Sequence, residues 1–221
     1  MNLLLINSGD ENAFAALYNS KELLISYSSE FKNETSGKLP DNLINCIEKL
    51  SANNREEFDK IEAIAVTIGP GSFTGLRVGI ALAKGIASAF NIQLIPVSNF
   101  ELTYNKISSV SEEHKYCILI PAKLPEYYYS IWSNGIEENK GCIEFGNLSS
   151  ISDENTTIVA NFDNETMVKH SYFDYIKSEN LADEAETMLK LSLNSLTKGN
   201  LKDPADIEPL YMKDFVIMKQ K

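Results

Sequence analysis

The stretch TIGPGSFTGLRVGIALAKGIASAF, residues 67–90, decides how this chain reads. It grows out of a continuous apolar run, IEAIAVTIG (61–69), which has the length and β-branched content of a buried strand. Gly69 and Gly71 supply the tight turn that follows, and Pro70 stiffens its entry. Ser72 and Thr74, flanking Phe73, are both placed to cap the next helix by accepting from its free N–H groups. Such a helix start can hold an anion. Neither nucleotide-loop signature is met, however. A phosphate loop of the Walker type needs Gly-Lys followed by Ser or Thr. A dinucleotide loop needs GxGxxG and a later acid, whereas the spacing here is GxGxxxG and NIQLIPV carries no acid.

The helix after the loop has small residues at Gly75, Gly79, Ala83 and Ala87, one every four. A small-residue stripe lets another backbone approach closely. Val78, Leu82 and Ile86 lie beside it, and Arg77, Lys84 and Ser88 form a narrow polar strip. A helix lying only on its own sheet needs an apolar arc of roughly 100°; this one has more. The excess is covered either by the chain's own helical pattern LPDNLINCIEKL (39–50), with Leu43, Ile44, Ile47 and Leu50 at helical spacing, or by another polypeptide. The pattern alone leaves both open.

Outward from this stretch, one order of elements is written twice. LLLIN (3–7), AFAALYN (13–19) and ELLISYSS (22–29) read as an antiparallel meander, followed by the 39–50 helix, the 61–69 strand and the loop helix. YCILIPA (116–122), YYYSIW (127–132) and GCIEF (141–145) repeat the meander, with SNG as a turn signal. TTIVAN (156–161) and a helical pattern over 181–196, closed by Gly199, complete the second half. The expectation is an α/β protein of two RNase H-like lobes with mixed sheets, the second reduced, over residues 1–112 and 113–221.

Composition narrows the function. The formal charge is −11, with 31 acidic residues against 20 basic ones and no Lys/Arg cluster. Direct binding to a phosphate backbone is therefore disfavoured, and any contact with RNA is expected to be indirect. Three scattered cysteines, without a CxxC pair, suit buried thiols in a reducing cytoplasm. MNLLLINSGD opens without a basic region and reads as a strand, and no run reaches about 18 consecutive apolar residues.

IGPGSFTGLRVGIALAKGIA is similar to the signature of the bacterial TsaB family (YeaZ-like, glycoprotease-like), proteins of tRNA threonylcarbamoyladenosine biosynthesis. LLLINS, PAKLPEYYY and DIEPLYMK (206–213) also fall where that family has comparable motifs. The resemblance implies an actin-like ATPase (ASKHA) fold with a cleft between two lobes. It implies a non-catalytic subunit that pairs with a TsaD-like catalytic subunit and a TsaE-like ATPase, and that forms homodimers when alone. The assembly transfers a threonylcarbamoyl group to the adenosine beside the anticodon of tRNAs reading ANN codons. Partner contacts are then expected from Leu43, Ile47, Gly75, Arg77, Gly79, Leu82, Ala83, Ile86 and Ala87, with Gly69, Pro70, Gly71, Ser72, Phe73 and Thr74 as the structural loop.

No catalytic residue, metal ligand or cofactor is expected. ATP-using members of the fold place a carboxylate at the end of the first strand, where this chain has Asn7; the second lobe's strand ends at Pro121. Asp10 reads as a turn residue. The catalytic relatives bind metal through paired histidines, whereas His114 and His170 lie far apart here and read as solvent-exposed. Two other classes compete: an ATP-dependent phosphotransferase, opposed by Asn7 and Pro121, and a peptidase built on Ser72 or Thr74, opposed by the lack of a neighbouring base.

Overall fold

A computed structural model of the protein describes residues 1–9, 13–27, 39–107, 114–153, 155–160 and 181–212. Asp10, the NETSGK loop, His170 and the last nine residues lie outside them. The first sheet is built on β1 (Asn2–Asn7), which pairs antiparallel with β2 (Phe14–Tyr18), itself antiparallel to β3 (Leu23–Tyr27). After α1 (Leu39–Asn53) and the short α2 (Arg55–Phe58), β4 (Ile61–Gly69) runs parallel to β1. The long α3 (Phe73–Phe90) then leads to β5 (Gln93–Ser98), parallel to β4, and to α4 (Asn99–Ile107). The strand order is β3-β2-β1-β4-β5.

Both faces of this sheet are covered, which is why β1 and β4 read as unbroken apolar runs rather than alternating ones. On one face Leu4, Ile6, Leu17, Ile64, Val66 and Leu94 pack against α1 (Leu43, Cys46, Ile47, Leu50) and α3 (Ile80, Ala83, Ala87). On the other, Leu3, Leu5, Phe14, Ala63, Ala65 and Ile95 meet Leu102 of α4 and a helix from much later in the chain.

The second sheet has β6 (Lys115–Pro121), β7 (Glu126–Ser133), β8 (Ile136–Glu144) and β9 (Thr156–Ala160) in the order β8-β7-β6-β9. This repeats β3-β2-β1-β4, with the same antiparallel meander and the same parallel pair. The turn at Asn134-Gly135 has φ of 51° and 78°, the left-handed pair of a tight hairpin. The run expected as a separate strand at 141–145 is the far half of the nine-residue β8. A short 3₁₀ stretch, Phe145–Ser150, stands where the first sheet has α1. Tyr127 and Tyr129 share the core face with Cys117, Leu119 and Ile131.

The expected halves 1–112 and 113–221 need a correction. One compact unit comprises Met1–Ser109 with Ser178–Pro209, the other Val110–Lys177 with Leu210–Lys221. The helix expected to finish the second lobe, α5 (Leu181–Thr197), instead seals the open face of the first sheet through Ala185, Met188 and Leu191. A five-stranded sheet with one bare apolar face demands that cover. Past α5, Lys202 and Leu94 exchange backbone hydrogen bonds of 2.9 Å each way, laying the chain along β5. Ile207 then joins the α1/α3 side of the core.

By length and composition alone α3 is long and apolar enough to cross a membrane. Its inner face packs on the sheet and it carries Arg77 and Lys84, so it is a core helix of the first unit.

Candidate functional site

The loop between β4 and α3 closes on the chain's own β1. The Ser72 N–H donates to Gly9 O at 2.8 Å, and Ser72 Oγ accepts from the Gly75 N–H at 3.2 Å. Ser72 is therefore the helix cap, and Thr74 sits exposed in the first turn. Gly69 has φ 108°, where only glycine is unstrained. Asn99 Nδ2 donates to Pro70 O at 2.9 Å and braces the loop from α4.

A buried polar cluster lies at the end of β1. Asn7 Oδ1 accepts from the Thr67 hydroxyl at 2.9 Å and from the Gly9 N–H at 3.2 Å. Asn7 Nδ2 donates to Glu184 Oε1 at 2.7 Å, and Lys106 Nζ reaches Glu184 Oε2 at 2.7 Å. Asn7 and Thr67 are fully buried and Glu184 is 1% exposed. A buried carboxylate survives only when paired and hydrogen-bonded, and Glu184 is both.

These residues do not fit the phosphates and cation of a nucleotide, the group that the actin-like ATPase fold implies. Asn7 brings no charge for a divalent ion, and its amide is committed to Glu184. Glu184 would repel phosphate at the same spot. The loop's leading N–H is spent on Gly9 O, and a Cβ at Gly71 would overlap that same oxygen. Two buried atoms here, Ser8 Oγ and Asn99 Oδ1, have no hydrogen-bond partner among the described residues. Asn99 Oδ1 is an acceptor, useless to a phosphate oxygen, and Ser8 Oγ is pressed against α3 at Gly79. Among the described residues no three His, Cys, Asp or Glu cluster as a metal site. His114 is exposed, stacked obliquely 6.5 Å from Tyr116.

The small stripe of α3 also needs a correction. Gly75, Gly79, Ala83 and Ala87 face inward, with Ala83 and Ala87 at 0% exposure. A Cβ at Gly75 would strike Ser8 O, and one at Gly79 would strike Ser8 Oγ. Their smallness lets α3 lie close on β1, not on a partner. Leu43 and Ile47 of α1 are likewise core residues. Of the expected partner residues, Arg77 is exposed and Leu82 and Ile86 are half-buried, packed partly against the chain's own core. The question left open by the pattern thus divides: α1 and the sheet cover the inner half of α3, and the outer half faces solvent.

That outer half has a small stripe of its own. Ala81, Gly85 and Ala89, again four apart, are exposed, and a Cβ at Gly85 would meet nothing within 4 Å. Val78 and Leu82 border it, and at its N-terminal end Phe73 is 46% exposed beneath the Arg77 guanidinium, 3.7 Å from the ring centroid. On α1, Ile44 is 38% exposed. Sequence periodicity could have found this face, since 81, 85 and 89 lie opposite 79, 83 and 87 on a helical wheel. Glu184 also left a signal: it is the acid on the face of α5 that carries Met188 and Leu191.

The repeated sheet order with a glycine loop leading from β4 into α3 defines a protein of the actin-like ATPase fold, that glycine loop tied to Gly9 O by the Ser72 N–H. A family model, "TsaD: tRNA N6-adenosine threonylcarbamoyltransferase", matches residues 33–137. The chain is 24% identical to the TsaB protein of Escherichia coli over 100% of its own length and 98% of that protein's. It is 29% identical to the TsaB protein of Haemophilus influenzae over 58% of this chain, spanning about half (52%) of the relative. The solved YeaZ from Pseudomonas aeruginosa superposes with a TM-score of 0.73 at 18% identity, covering 95% of this chain and 99% of that one. Over its full length the chain is similar to proteins of the TsaB/YeaZ family.

Proposed function

We propose that this protein is the non-catalytic scaffold of a tRNA threonylcarbamoyladenosine-forming assembly, pairing with a TsaD-like catalytic subunit and serving with a TsaE-like ATPase. The assembly works in the cytoplasm on the adenosine beside the anticodon of tRNAs reading ANN codons, and the protein touches tRNA only through its partners. The observation that carries this reading is the contrast between the two faces of α3. The inward side is seated on the end of β1 through a loop whose Ser72 N–H is already bonded to Gly9 O, and the outward side presents a small exposed strip, Ala81, Gly85 and Ala89, bordered by the half-buried Val78 and Leu82. We place the docking of the TsaD-like subunit on that strip, with Arg77, Phe73 and Ile86 at its margins, and the homodimer of the isolated protein on the same strip.

A phosphotransferase is disfavoured by Asn7 and by the buried carboxylate it holds. A peptidase is disfavoured because Ser72 Oγ serves as the helix cap and the first unit contains no histidine. The test is size-exclusion chromatography with light scattering on a mixture with the TsaD-like subunit. Wild type forms a heterodimer and Gly85→Leu, whose side chain enters open space, folds normally and does not. Undiminished heterodimer from the variant places the contact elsewhere, and no heterodimer from wild type removes the reading.

A further inference from the structure

The first sheet separates α5 from α3, yet hydrogen bonds run from one to the other through the end of β1. Glu184 on α5 accepts from Asn7 Nδ2; Asn7 Oδ1 accepts from Gly9 N–H; Gly9 O accepts from the N–H of Ser72, the N-cap of α3. Thr67 on β4 fastens the middle of the run, donating to Asn7 Oδ1 and accepting from the Ser8 N–H at 3.3 Å. Lys106 on α4 neutralises the carboxylate. Ala185, Met188 and Leu191 already supply α5 with an apolar footing on the sheet. A buried ion pair adds little net stability to such a footing, because desolvating both charges offsets their attraction. What it adds is direction. An Asn amide must point Nδ2 one way and Oδ1 the other, and the carboxylate fixes which.

We infer that Glu184 is a positioning residue: by orienting Asn7 it sets the Ser8-Gly9 turn, and through it the start of α3, from the opposite face of the sheet. The seating of residues 181–209 and the setting of the glycine loop are then one event. A chain in which α5 docks imperfectly presents α3 with a loosened first turn. This property belongs to the isolated protein and stands whether or not the outer strip of α3 binds a TsaD-like subunit.

Amide hydrogen exchange, resolved by NMR on the full chain, tests it with two double variants. Glu184→Gln with Lys106→Met keeps an acceptor for Asn7 Nδ2 and removes both charges. Glu184→Leu with Lys106→Met removes the acceptor and fills the space with hydrocarbon. The leucine variant is expected to keep wild-type protection in α5 and to exchange about tenfold faster at Gly9 and Ser72, as loss of an oriented hydrogen bond dictates. The glutamine variant is expected to match wild type at those amides. Unchanged Gly9 and Ser72 in the leucine variant overturns the inference, and so does equal loosening in both, which would assign the effect to lost charge. Should the leucine variant loosen α5 as well, Thr67→Val carries the test. It strips a donor from Asn7 Oδ1 and an acceptor from the Ser8 N–H, and unchanged Gly9 and Ser72 amides there likewise overturn it.

Discussion

Three glycines of α3 allow one substitution to be made in three environments, so that helix propensity cancels and packing remains. Gly→Ala in a helix interior gains about 1 kcal/mol in propensity wherever the space permits. At Gly85 nothing lies within 4 Å of the added methyl, so Gly85→Ala is expected to stabilise by up to about 1 kcal/mol. At Gly79 the methyl overlaps Ser8 Oγ and lies 3.0 Å from Ser8 Cβ and 3.6 Å from Ile6 Cγ2. The hydroxyl can rotate but Cβ cannot, so overpacking outweighs propensity and the net cost is about 1–2 kcal/mol. At Gly75 the methyl meets Ser8 O, a backbone atom tied into β1, with Ser72 Oγ at 3.1 Å. The helix start must move, and the net cost is about 3 kcal/mol. Urea unfolding followed by far-UV circular dichroism reads the series, expected in the order Gly85→Ala above wild type, then Gly79→Ala, then Gly75→Ala. Equal stabilities for the Gly75 and Gly85 variants would refute the placement of the inner stripe on β1.

Asn7→Asp sets a second carboxylate against Glu184, so the pair must share a proton and one pKa rises. The raised group favours folding below its ordinary pKa near 4 and loses that contribution as pH climbs; the variant's thermal midpoint should trail wild type at pH 7 and approach it near pH 5. A deficit independent of pH would count against a charged Glu184. Burial pushes the Cys117 thiol from 9.0 up to about 12, with Lys115 opposing weakly. Stability drawn from that thiol is intact below pH 9 and lost between about 9 and 12, and the native protein should resist alkylation at Cys117 at pH 8, checked by mass spectrometry. Rapid native alkylation would contradict the burial. The isolated protein should shift tRNA poorly in a mobility assay at physiological salt, given its charge of −11; tight binding would overturn the indirect role.

Much of the fold was legible because its two periodicities are clean. Residues 3–6 of β1 and 63–66 of β4 are apolar at every position, as strands covered on both faces must be, and α1 repeats Leu43, Cys46, Ile47 and Leu50 at helical spacing. Residues 181–196 form the helix their period predicts, but it belongs to the first unit rather than the second. Periodicity shows that a face is apolar and says nothing about which sheet covers it, and the cover here comes from 177 positions away in the case of Glu184 and Asn7. The glycine stripe at 75, 79, 83 and 87 misled for a related reason: small residues mark close approach of a backbone, whether the chain's own or another's. The exposed stripe at 81, 85 and 89 was equally present, and only the side that β1 occupies distinguishes the two. The polar cluster was half-visible, since Asn7 stood out at the end of an apolar strand while its partners Thr67, Lys106 and Glu184 converge only in three dimensions.

The most direct measurement is the threonylcarbamoyladenosine content of tRNA, by nucleoside mass spectrometry, from native cells depleted of this protein. Depletion should strip the modification from tRNAs reading ANN codons; re-expressed wild type should restore it, and Gly85→Leu, folded but altered on the outer strip of α3, should not. Unchanged modification after depletion would contradict the proposed role outright.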